Sequence, residues 1–403
     1  MKRSPSVGLA SAAATAAAAL ALSSCASTAP GSSATSASAT TAPATAEATG
    51  RLAITYKSGI AVLDGKTLKV IETFPTEEFT RVNGVGDGRN ILVTTSKGFQ
   101  VLDTAKPALT DSVFKATTAG HVVRHADHTV LFDDGTGTTT IFSTDALLNS
   151  GGRLPKAETY TAPAPHHGVS IRLSDGTLLT TVGDKTGRTG AAALRQNGEA
   201  WEKVSENNQC RGIHGEGAAA GEAVIFGCED GALLYHHGTF EKFTAPDKYG
   251  RMGNAYTSET SPIIVGDYKN NPDAEGYLLN AVTLIDTAKH TYRVVNLPDG
   301  VRYTWRDVAR GSDGLAYILS TDGSIHVLDP ASGEIVKKYA AIAPWEGPAN
   351  WQDPHPAIAV KGTTGYITEP ATSTVRAIDL TTGAELGSVK LSAPPNEITV
   401  AQG

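Results

Sequence analysis

The sequence predicts an all-β fold, an eight-bladed β-propeller, and three observations lead to it. Short runs rich in Val, Ile, Leu, Thr and Tyr fill residues 51–403, and Asp-Gly, Asn-Gly and Ser-Gly turns separate them. A strand–turn–strand phrase led by aspartate recurs along the chain: "VLDGKTLKV", "VLDTAKPAL", "LIDTAKHTYRVV", "VLDPASGEIV" and "AIDLTTGAEL". Units that return every 40 to 50 residues are typical of propeller blades, which bury their faces only by stacking around an axis.

Counting the segments that open each innermost strand gives the number of blades. These eight starts lie near Arg81, His121, His167, His214, Ser258, Arg306, His355 and Glu397. The last start has room for one strand before residue 403, whereas residues 51–76 supply three strands before the first start. We therefore expect the N- and C-terminal strands to complete one blade together and to close the ring.

The N-terminus predicts export and a lipid anchor. Lys2 and Arg3 precede an alanine-rich apolar stretch and the sequence "LSSC", so residues 1–25 resemble a bacterial lipoprotein signal with Cys25 as the acylated residue. An ordinary secretory signal with an incidental cysteine is the alternative. Residues 26–50 consist mainly of Ala, Ser, Thr, Pro and Gly and are expected to form a disordered tether before the propeller of residues 51–403. We expect a lipid-anchored protein outside the cytoplasm, touching the membrane only through that anchor.

Charge and cysteine usage narrow the possible partners. The formal net charge is −7 and no basic block follows the signal, so the sequence lacks the basic patch that nucleic-acid binding requires. Apart from Cys25 only Cys210 and Cys228 remain, and an exported pair is most simply a disulfide, although two metal-binding thiolates are the alternative. We expect a monomer.

Four of the eleven histidines share one register position. His121, His167 and His214 are 46 and 47 residues apart, and His355 follows His214 by 141 residues, three times 47. The start of an innermost strand faces the central channel, so these imidazoles are expected to converge near the axis, where Zn²⁺ accepts neutral imidazole ligands. A histidine at a strand start can instead bond a neighbouring carbonyl or face water.

The fourth zinc ligand stays open between His355 and four acidic residues close in register. Those residues are Glu216, Glu259, Asp353 and Glu397, each placed to ligate or to orient a histidine. His236, His237, His290 and His326 are expected to lie at the surface, and strand alternation is expected to point His166 away from the side of His167. "HVVRHADH" does not fit a zincin motif, because a helix and a glutamate at position 122 would be required.

Catalytic signatures do not emerge from the sequence. It contains no Gly-x-Ser-x-Gly elbow, no phosphate-binding Gly-x-x-x-x-Gly-Lys-Ser/Thr loop and no dinucleotide fingerprint. "DDGTG" at Asp133 lacks the spaced oxygen ligands of a calcium loop and is expected to be a hairpin turn. The sequence thus favours a binding protein over an enzyme.

The segments "GHVVRHADH", "HHGVSIRLSDG" and "CRGIHGE" followed by "FGCEDG" resemble the exported zinc metallochaperones of the AztD type. This resemblance implies an eight-bladed propeller that holds zinc outside the cytoplasmic membrane and delivers it to the solute-binding protein of a zinc ABC importer. It supports His121, His167 and His214 most directly, whereas His355 depends on the register count. Residues 26–50 contain no histidine, unlike the histidine-rich segment that such chaperones can carry there.

Two other classes of function stay open at this stage. A propeller hydrolase or lyase could use a histidine-bound metal to activate water. A surface lipoprotein that binds a cell-wall or peptide ligand would use no metal.

Overall fold

The computed structural model describes residues 50–273 and 278–402. The first sixteen strands are β1 (Leu52–Tyr56), β2 (Gly59–Leu63), β3 (Val70–Pro75), β4 (Arg81–Gly84), β5 (Asn90–Thr95), β6 (Gly98–Asp103), β7 (Ala108–Lys115), β8 (Ala119–His125), β9 (His128–Asp133), β10 (Thr138–Ser143), β11 (Glu158–Thr161), β12 (Ser170–Arg172), β13 (Leu178–Asp184), β14 (Gly187–Asn197), β15 (Ala200–Asn207) and β16 (His214–Ala218). The next are β17 (Val224–Cys228), β18 (Asp230–His236), β19 (Thr239–Thr244), β20 (Gly250–Arg251), β21 (Ala255–Tyr256), β22 (Ile263–Tyr268), β23 (Ala281–Asp286), β24 (Thr291–Asn296), β25 (Val308–Arg310), β26 (Ala316–Leu319), β27 (Ser324–Asp329), β28 (Glu334–Ala340), β29 (Ala357–Lys361), β30 (Thr364–Glu369), β31 (Thr374–Asp379), β32 (Glu385–Lys390) and β33 (Pro395–Val400).

These strands form eight antiparallel sheets, which we call blades 1 to 8. Blade 1 has the order β3-β2-β1-β33, and blades 2 to 4 consist of β4–β7, β8–β11 and β12–β15. Blade 5 contains β16–β19, with β20 paired in parallel to β18, and blades 6 to 8 consist of β21–β24, β25–β28 and β29–β32. The predicted all-β, eight-bladed propeller is confirmed, and its inner strands begin within three residues of the eight predicted positions.

Helical structure is confined to two single turns in the described residues. The 3-10 helices Thr144–Ala146 and Pro370–Thr372 follow β10 and β30. Neither is long and apolar enough to cross a membrane. Cys25 and most of the predicted tether lie outside the described residues.

The recurring aspartates form the turns that the sequence predicts. Each leads the turn between the third and fourth strand of its blade, where its carboxylate accepts a backbone N–H from two residues ahead; they are Asp64, Asp103, Asp286, Asp329 and Asp379. An aspartate that bonds the following backbone in this way stabilises the turn without help from a neighbouring blade. This local bond explains why the phrase repeats along the chain.

The hydrophobic core lies between the blades. Ile60 and Val62 of blade 1, for example, pack with Val82, Ile91 and Val93 of blade 2 in one cluster of buried residues. A single four-stranded blade exposes both of its faces, so each blade depends on its neighbours for burial. The ring therefore needs to be complete for the first and last blades to be covered.

Strand β33 closes the ring by pairing with β1. Leu52, Ala53 and Ile54 pair with Val400, Thr399 and Ile398 in antiparallel register. The backbone N–H of Glu397 also donates to Thr55 Oγ1 at 3.0 Å. Closure by the two terminal segments, predicted from the strand count, is confirmed.

We expect deletion of residues 395–403 to reduce the free energy of unfolding by at least about 5 kcal/mol, because re-exposing each buried aliphatic side chain costs roughly 1.5–3 kcal/mol. Leu52, Ile54 and Val400 are each less than 5% exposed in the closed ring. Chemical denaturation of the full and truncated chains measures the difference. A truncated chain within about 1 kcal/mol of the full chain would show that β33 is dispensable.

Candidate metal centre

Three of the four predicted histidines meet at one end of the axial channel. His121 is the third residue of β8, His167 precedes β12, and His214 is the first residue of β16. They belong to the consecutive blades 3, 4 and 5, whose inner strands enter the ring side by side. We call these three residues the axial cluster.

The Nε2 atoms of the axial cluster point at one another. Nε2 of His214 is 3.2 Å from Nε2 of His121 and 3.1 Å from Nε2 of His167. Two donors of a tetrahedral zinc ion, each at roughly 2.0–2.1 Å from it, are roughly 3.3 Å apart. In the described residues this is the group of histidine, cysteine and acidic side chains whose donor atoms are spaced to hold a metal ion.

Acceptors on the opposite nitrogens fix the tautomers of two of these histidines. Nδ1 of His214 donates to the carbonyl oxygen of Gly253 at 2.6 Å, and Nδ1 of His167 donates to the Asp134 carboxylate at 2.6 Å. Both acceptors lack a proton to give, so each Nδ1 carries the hydrogen and each Nε2 is left to bind a metal. The spacing pattern gave no signal for Asp134, which reaches His167 from the β9–β10 turn of the neighbouring blade.

Burial keeps His121 and His214 uncharged. It lowers the pKa of His214 to about 3, and the neighbouring His167, Arg188 and Arg251 contribute to the shift. Burial, followed by the charges of His214 and His167, lowers the pKa of His121 well below its ordinary value. A single proton could join only two of three converging nitrogens, whereas a metal ion joins all three.

A β-bulge at Gly215 sets the position of His214. The pairing of β16 with β17 shifts register between His214 and Gly217, and Gly215 has a φ of +64°. A Cβ at position 215 would lie 2.3 Å from the Gly253 carbonyl oxygen, the acceptor of the His214 proton. Asp267 holds the same peptide from the other side, since its carboxylate accepts the N–H groups of Gly253 and Asn254.

Glu216 is the acidic candidate nearest to the axial cluster. Its Oε2 lies 3.9 Å from Nδ1 of His121, and burial raises its pKa to about 7. A carboxyl group near its midpoint of titration at neutral pH can accept a proton or release one when a cation arrives. Glu216 is therefore placed to approach a bound metal ion as a further ligand, whereas 3.9 Å is too long for a hydrogen bond that would orient His121.

The other predicted fourth ligands lie elsewhere. Glu397 pairs with Arg81 and Arg306, Asp353 accepts the N–H of Asn350, and Glu259 is exposed. His355 is buried, and its Nδ1 donates to the Asp353 carbonyl at 2.7 Å. Burial and then Arg306 lower its pKa to about 4.

The position of blade 8 explains why His355 is not part of the axial cluster. Blade 8 is three blades away from blade 5 in one direction and three away from blade 3 in the other. It therefore stands opposite blade 4, across the channel. A shared register position brings side chains together only when their blades are neighbours.

The remaining histidines follow the predictions with one exception. His166 turns away from the cluster and bonds the Ala164 carbonyl and Thr181, as strand alternation predicts. His326, expected at the surface, is buried in β27, where its Nε2 bonds the Asp322 carboxylate. That carboxylate satisfies the imidazole and explains why burial is tolerated.

The predicted disulfide is confirmed. Cys210 and Cys228 are bonded and fully buried, with Cα atoms 4.9 Å apart. The bridge ties the segment that leads into His214 to the end of β17, one residue after Gly227, the partner of His214 in the ladder. It therefore holds the strand start that presents His214.

A cavity of about 690 Å³ opens over the axial cluster. Its walls include the three histidines, Glu216, Trp305 and Trp351. The cavity is far larger than an ion, and the side chain of His167 is 47% exposed, so one side of the cluster is accessible.

Fold and site together define an eight-bladed β-propeller with a three-histidine cluster at one end of its channel. No family model matches the chain. The zinc chaperone AztD of Citrobacter koseri is 24% identical over 312 residues, which cover 75% of this chain and 70% of the chaperone. The resemblance predicted from the histidine and cysteine motifs is thus confirmed.

Solved structures extend the similarity in fold. The structure of apo AztD from Citrobacter koseri has a TM-score of 0.72 and a second AztD crystal structure 0.70; each is 20% identical and covers 86% of this chain and 96% of its own. Dihydro-heme d1 dehydrogenase NirN, in complex with DHE, has a TM-score of 0.58 at 10% identity, covering 88% of this chain and 75% of its own.

We expect zinc affinity to depend on His214 and Asp134 but not on His355. His214→Ala removes a ligand, and Asp134→Asn weakens the bond that orients His167, which should cost roughly 10–100-fold in affinity. His355→Gln is the matched control because His355 holds the same register position. Competition titration with a zinc chelator measures the three constants, and an unchanged constant for His214→Ala would contradict the assignment.

Zinc affinity should fall only modestly between pH 7 and pH 5. Three exposed imidazoles with ordinary pKa values near 6.5 would each cost roughly 25-fold over that range. Since the pKa values of His121 and His214 are lowered in the folded protein, we expect a loss far below the cube of that factor. Chelator competition measures zinc affinity between pH 7 and pH 5. A loss of affinity near the cube of that factor would mean that all three imidazoles titrate as exposed groups, which would contradict the burial of His121 and His214.

The same lowered pKa values predict that the metal-free protein loses stability in acid. The unfolded chain binds protons at these two histidines below pH 6.5 while the folded chain does not, so stability is present above that pH and declines as the pH falls below it. Denaturation of the metal-free protein between pH 7 and pH 4.5, with the His121→Asn/His214→Asn variant as control, measures this contribution. The variant should show a smaller decline.

Reduction of the Cys210–Cys228 bond should weaken zinc binding clearly while lowering the melting temperature only slightly. The 18-residue separation restrains the unfolded chain by roughly 3 kcal/mol, which is modest beside a ring of eight blades. Zinc affinity and melting temperature measured with and without reductant test this. Equal affinity in both states would mean that the bridge does not support His214.

Proposed function

We propose that this protein is an extracytoplasmic zinc metallochaperone that binds one Zn²⁺ at the axial cluster and delivers it to the solute-binding protein of a zinc ABC importer. The observation that carries the proposal is the convergence of three Nε2 atoms, two of which have their opposite nitrogens bonded to fixed acceptors. Similarity to the zinc chaperone AztD supports the choice of metal and of role.

The donor set suits zinc as cargo. Neutral imidazoles bind Zn²⁺ well, and three protein ligands leave a fourth position for water, for Glu216 or for a donor from the partner. Release without a partner would require every imidazole bond to break. With a partner's ligand at the open position, donors can be replaced one at a time, so delivery by contact is faster than free dissociation.

The nearby charges favour a site that can also release its ion. Arg188 and Arg251 act on His214, and Arg81 and Arg188 act on His121, each lowering the imidazole pKa. The same positive charges repel a dication, while Asp134 and Glu216 attract it. A cluster with this balance holds zinc less tightly than a closed structural site.

Lipid anchoring at Cys25, the tether of residues 26–50 and a monomeric state complete the proposal. The buried disulfide supports an oxidising compartment outside the cytoplasm, where such bonds persist.

A metal-dependent hydrolase or lyase is the second candidate, and the cavity of about 690 Å³ over the axial cluster favours it. Such a volume could hold a small substrate beside a metal-bound water. The lack of a catalytic motif in the sequence counts against this candidate.

Transfer kinetics distinguish the two candidates. We expect the zinc-loaded protein to load an apo solute-binding protein faster than it loses zinc to an excess of chelator. Stopped-flow measurement with a fluorescent zinc reporter gives both rates. Transfer that never exceeds passive loss, for any zinc-binding partner offered, would contradict the chaperone role.

Trp351→Ala should slow transfer without changing zinc affinity, because docking and ligation are separate contributions. Trp351 lines the cavity, and its side chain packs edge-on against Phe79. Trp345→Ala is the matched control, since the Trp345 indole N–H donates to the Ser320 carbonyl and the ring is anchored on the same loop. Equal transfer rates for the two variants would mean that Trp351 does not contact the partner.

A further inference from the structure

A second group of histidines lies at the opposite end of the blades. His236 is the last residue of β18, His237 follows in the turn to β19, and His290 lies in the turn between β23 and β24 of the next blade. β16 starts at the axial cluster, and the antiparallel ladders return the end of β17 to that side, so β18 runs away from it. We call His236, His237, His290 and Glu241 the rim cluster.

The rings of the rim cluster lie next to one another at the end of the blades. The ring centroids of His236 and His237 are 3.8 Å apart, and those of His236 and His290 are 5.9 Å apart. The corresponding distances in the axial cluster, where the nitrogens already meet, are 4.8 to 5.2 Å. The donor atoms of the rim cluster are not drawn together as those of the axial cluster are, so binding an ion requires the exposed His237 to change its side-chain torsions.

The backbone at two turn residues brings these rings together. Consecutive residues of a strand point to opposite faces, so His237 would point away from His236 if the strand continued. His237 has a φ of 49° and His290 a φ of 53°, the left-handed region that few residues other than glycine adopt. The turn at His237 ends the alternation and places its ring beside that of His236, with the two planes tilted by 36°.

A carboxylate orients the third ring as Asp134 does in the axial cluster. Nδ1 of His290 donates to Oε2 of Glu241 at 2.5 Å, which leaves Nε2 of His290 free to bind a metal. Glu241 belongs to β19 of blade 5, so this bond already links blades 5 and 6. The side chains of His290 and Glu241 are 46% and 45% exposed, so the group is open to solvent.

Imidazole nitrogens are ligands for Zn²⁺, Cu²⁺ and Ni²⁺, so the donor set of the rim cluster suits a divalent transition-metal ion.

We propose that the rim cluster is a second site for a divalent transition-metal ion, and that the ion clamps blade 5 to blade 6 at the end of the propeller away from the axial cluster. His236, His237 and His290 supply the nitrogens and Glu241 orients His290. Exposure makes this site weaker and faster to exchange than the axial cluster. The inference stands independently of the zinc chaperone role.

Metal stoichiometry of four full-length proteins tests the proposal: the parent, His214→Ala, His290→Ala and the double variant. Titration calorimetry with Zn²⁺ alone should give two ions for the parent, one for each single variant and none for the double. In His214→Ala, bound Cu²⁺ should show an electron paramagnetic resonance spectrum with coupling to imidazole nitrogen, and His290→Ala should abolish it. If only the axial site were wrong, the result would differ: the parent and His214→Ala would each bind one ion, and His290→Ala would bind none.

Two further variants separate a built site from scattered surface binding. His125→Ala is the matched control, because His125 also forms a histidine–glutamate pair, with Glu222 at 3.0 Å. It should leave stoichiometry unchanged, whereas Glu241→Gln should weaken the rim site roughly 10–100-fold. Zinc should also raise the melting temperature of His214→Ala but not that of the double variant. The proposal would be overturned if His125→Ala lost the weaker ion as readily as His290→Ala does. It would also be overturned if His290→Ala bound as many ions as the parent.

Discussion

The antiparallel ladder between β1 and β33 is the interaction on which the rest of the fold depends. It joins the two ends of the folded chain and turns a row of blades into a ring. In an open row the two outermost blades would each expose one apolar face. Closure also fixes the angle between neighbouring blades, and that angle decides which inner-strand starts come within ligand distance of one another.

The axial cluster shows how much of a site a repeat can specify. Each blade brings the start of its innermost strand to the channel, so three neighbouring blades can supply three imidazoles to one point, and a β-bulge at Gly215 adjusts the third. The repeat does not determine which ring nitrogen of each histidine carries the hydrogen. That depends on Asp134 and on the Gly253 carbonyl, which belong to turns and connections outside the repeated position.

The sequence alone predicted the eight blades, the closing blade, the disulfide and the three neighbouring histidines. It could do so because aspartate turns and strand periodicity are local, and because identical positions in adjacent blades are neighbours in space. Asp134 was not predicted, since its contact with His167 exists only after blade 3 packs against blade 4. His355 lies across the channel because its blade is three blades away from blades 3 and 5, which the register position alone does not show. Glu397 pairs with Arg81 and Arg306 because the closed ring brings these distant segments together.

The bulge at Gly215 makes one residue a diagnostic mark for related chains. A histidine in the fifth blade can keep its Nδ1 on the Gly253 carbonyl only if the next residue has no side chain, because a Cβ there would displace that carbonyl. Searches that score the histidine alone would therefore collect propellers whose imidazole has the right position and the wrong orientation. A histidine followed by glycine at this register is the sharper criterion for finding chains whose imidazole keeps this orientation.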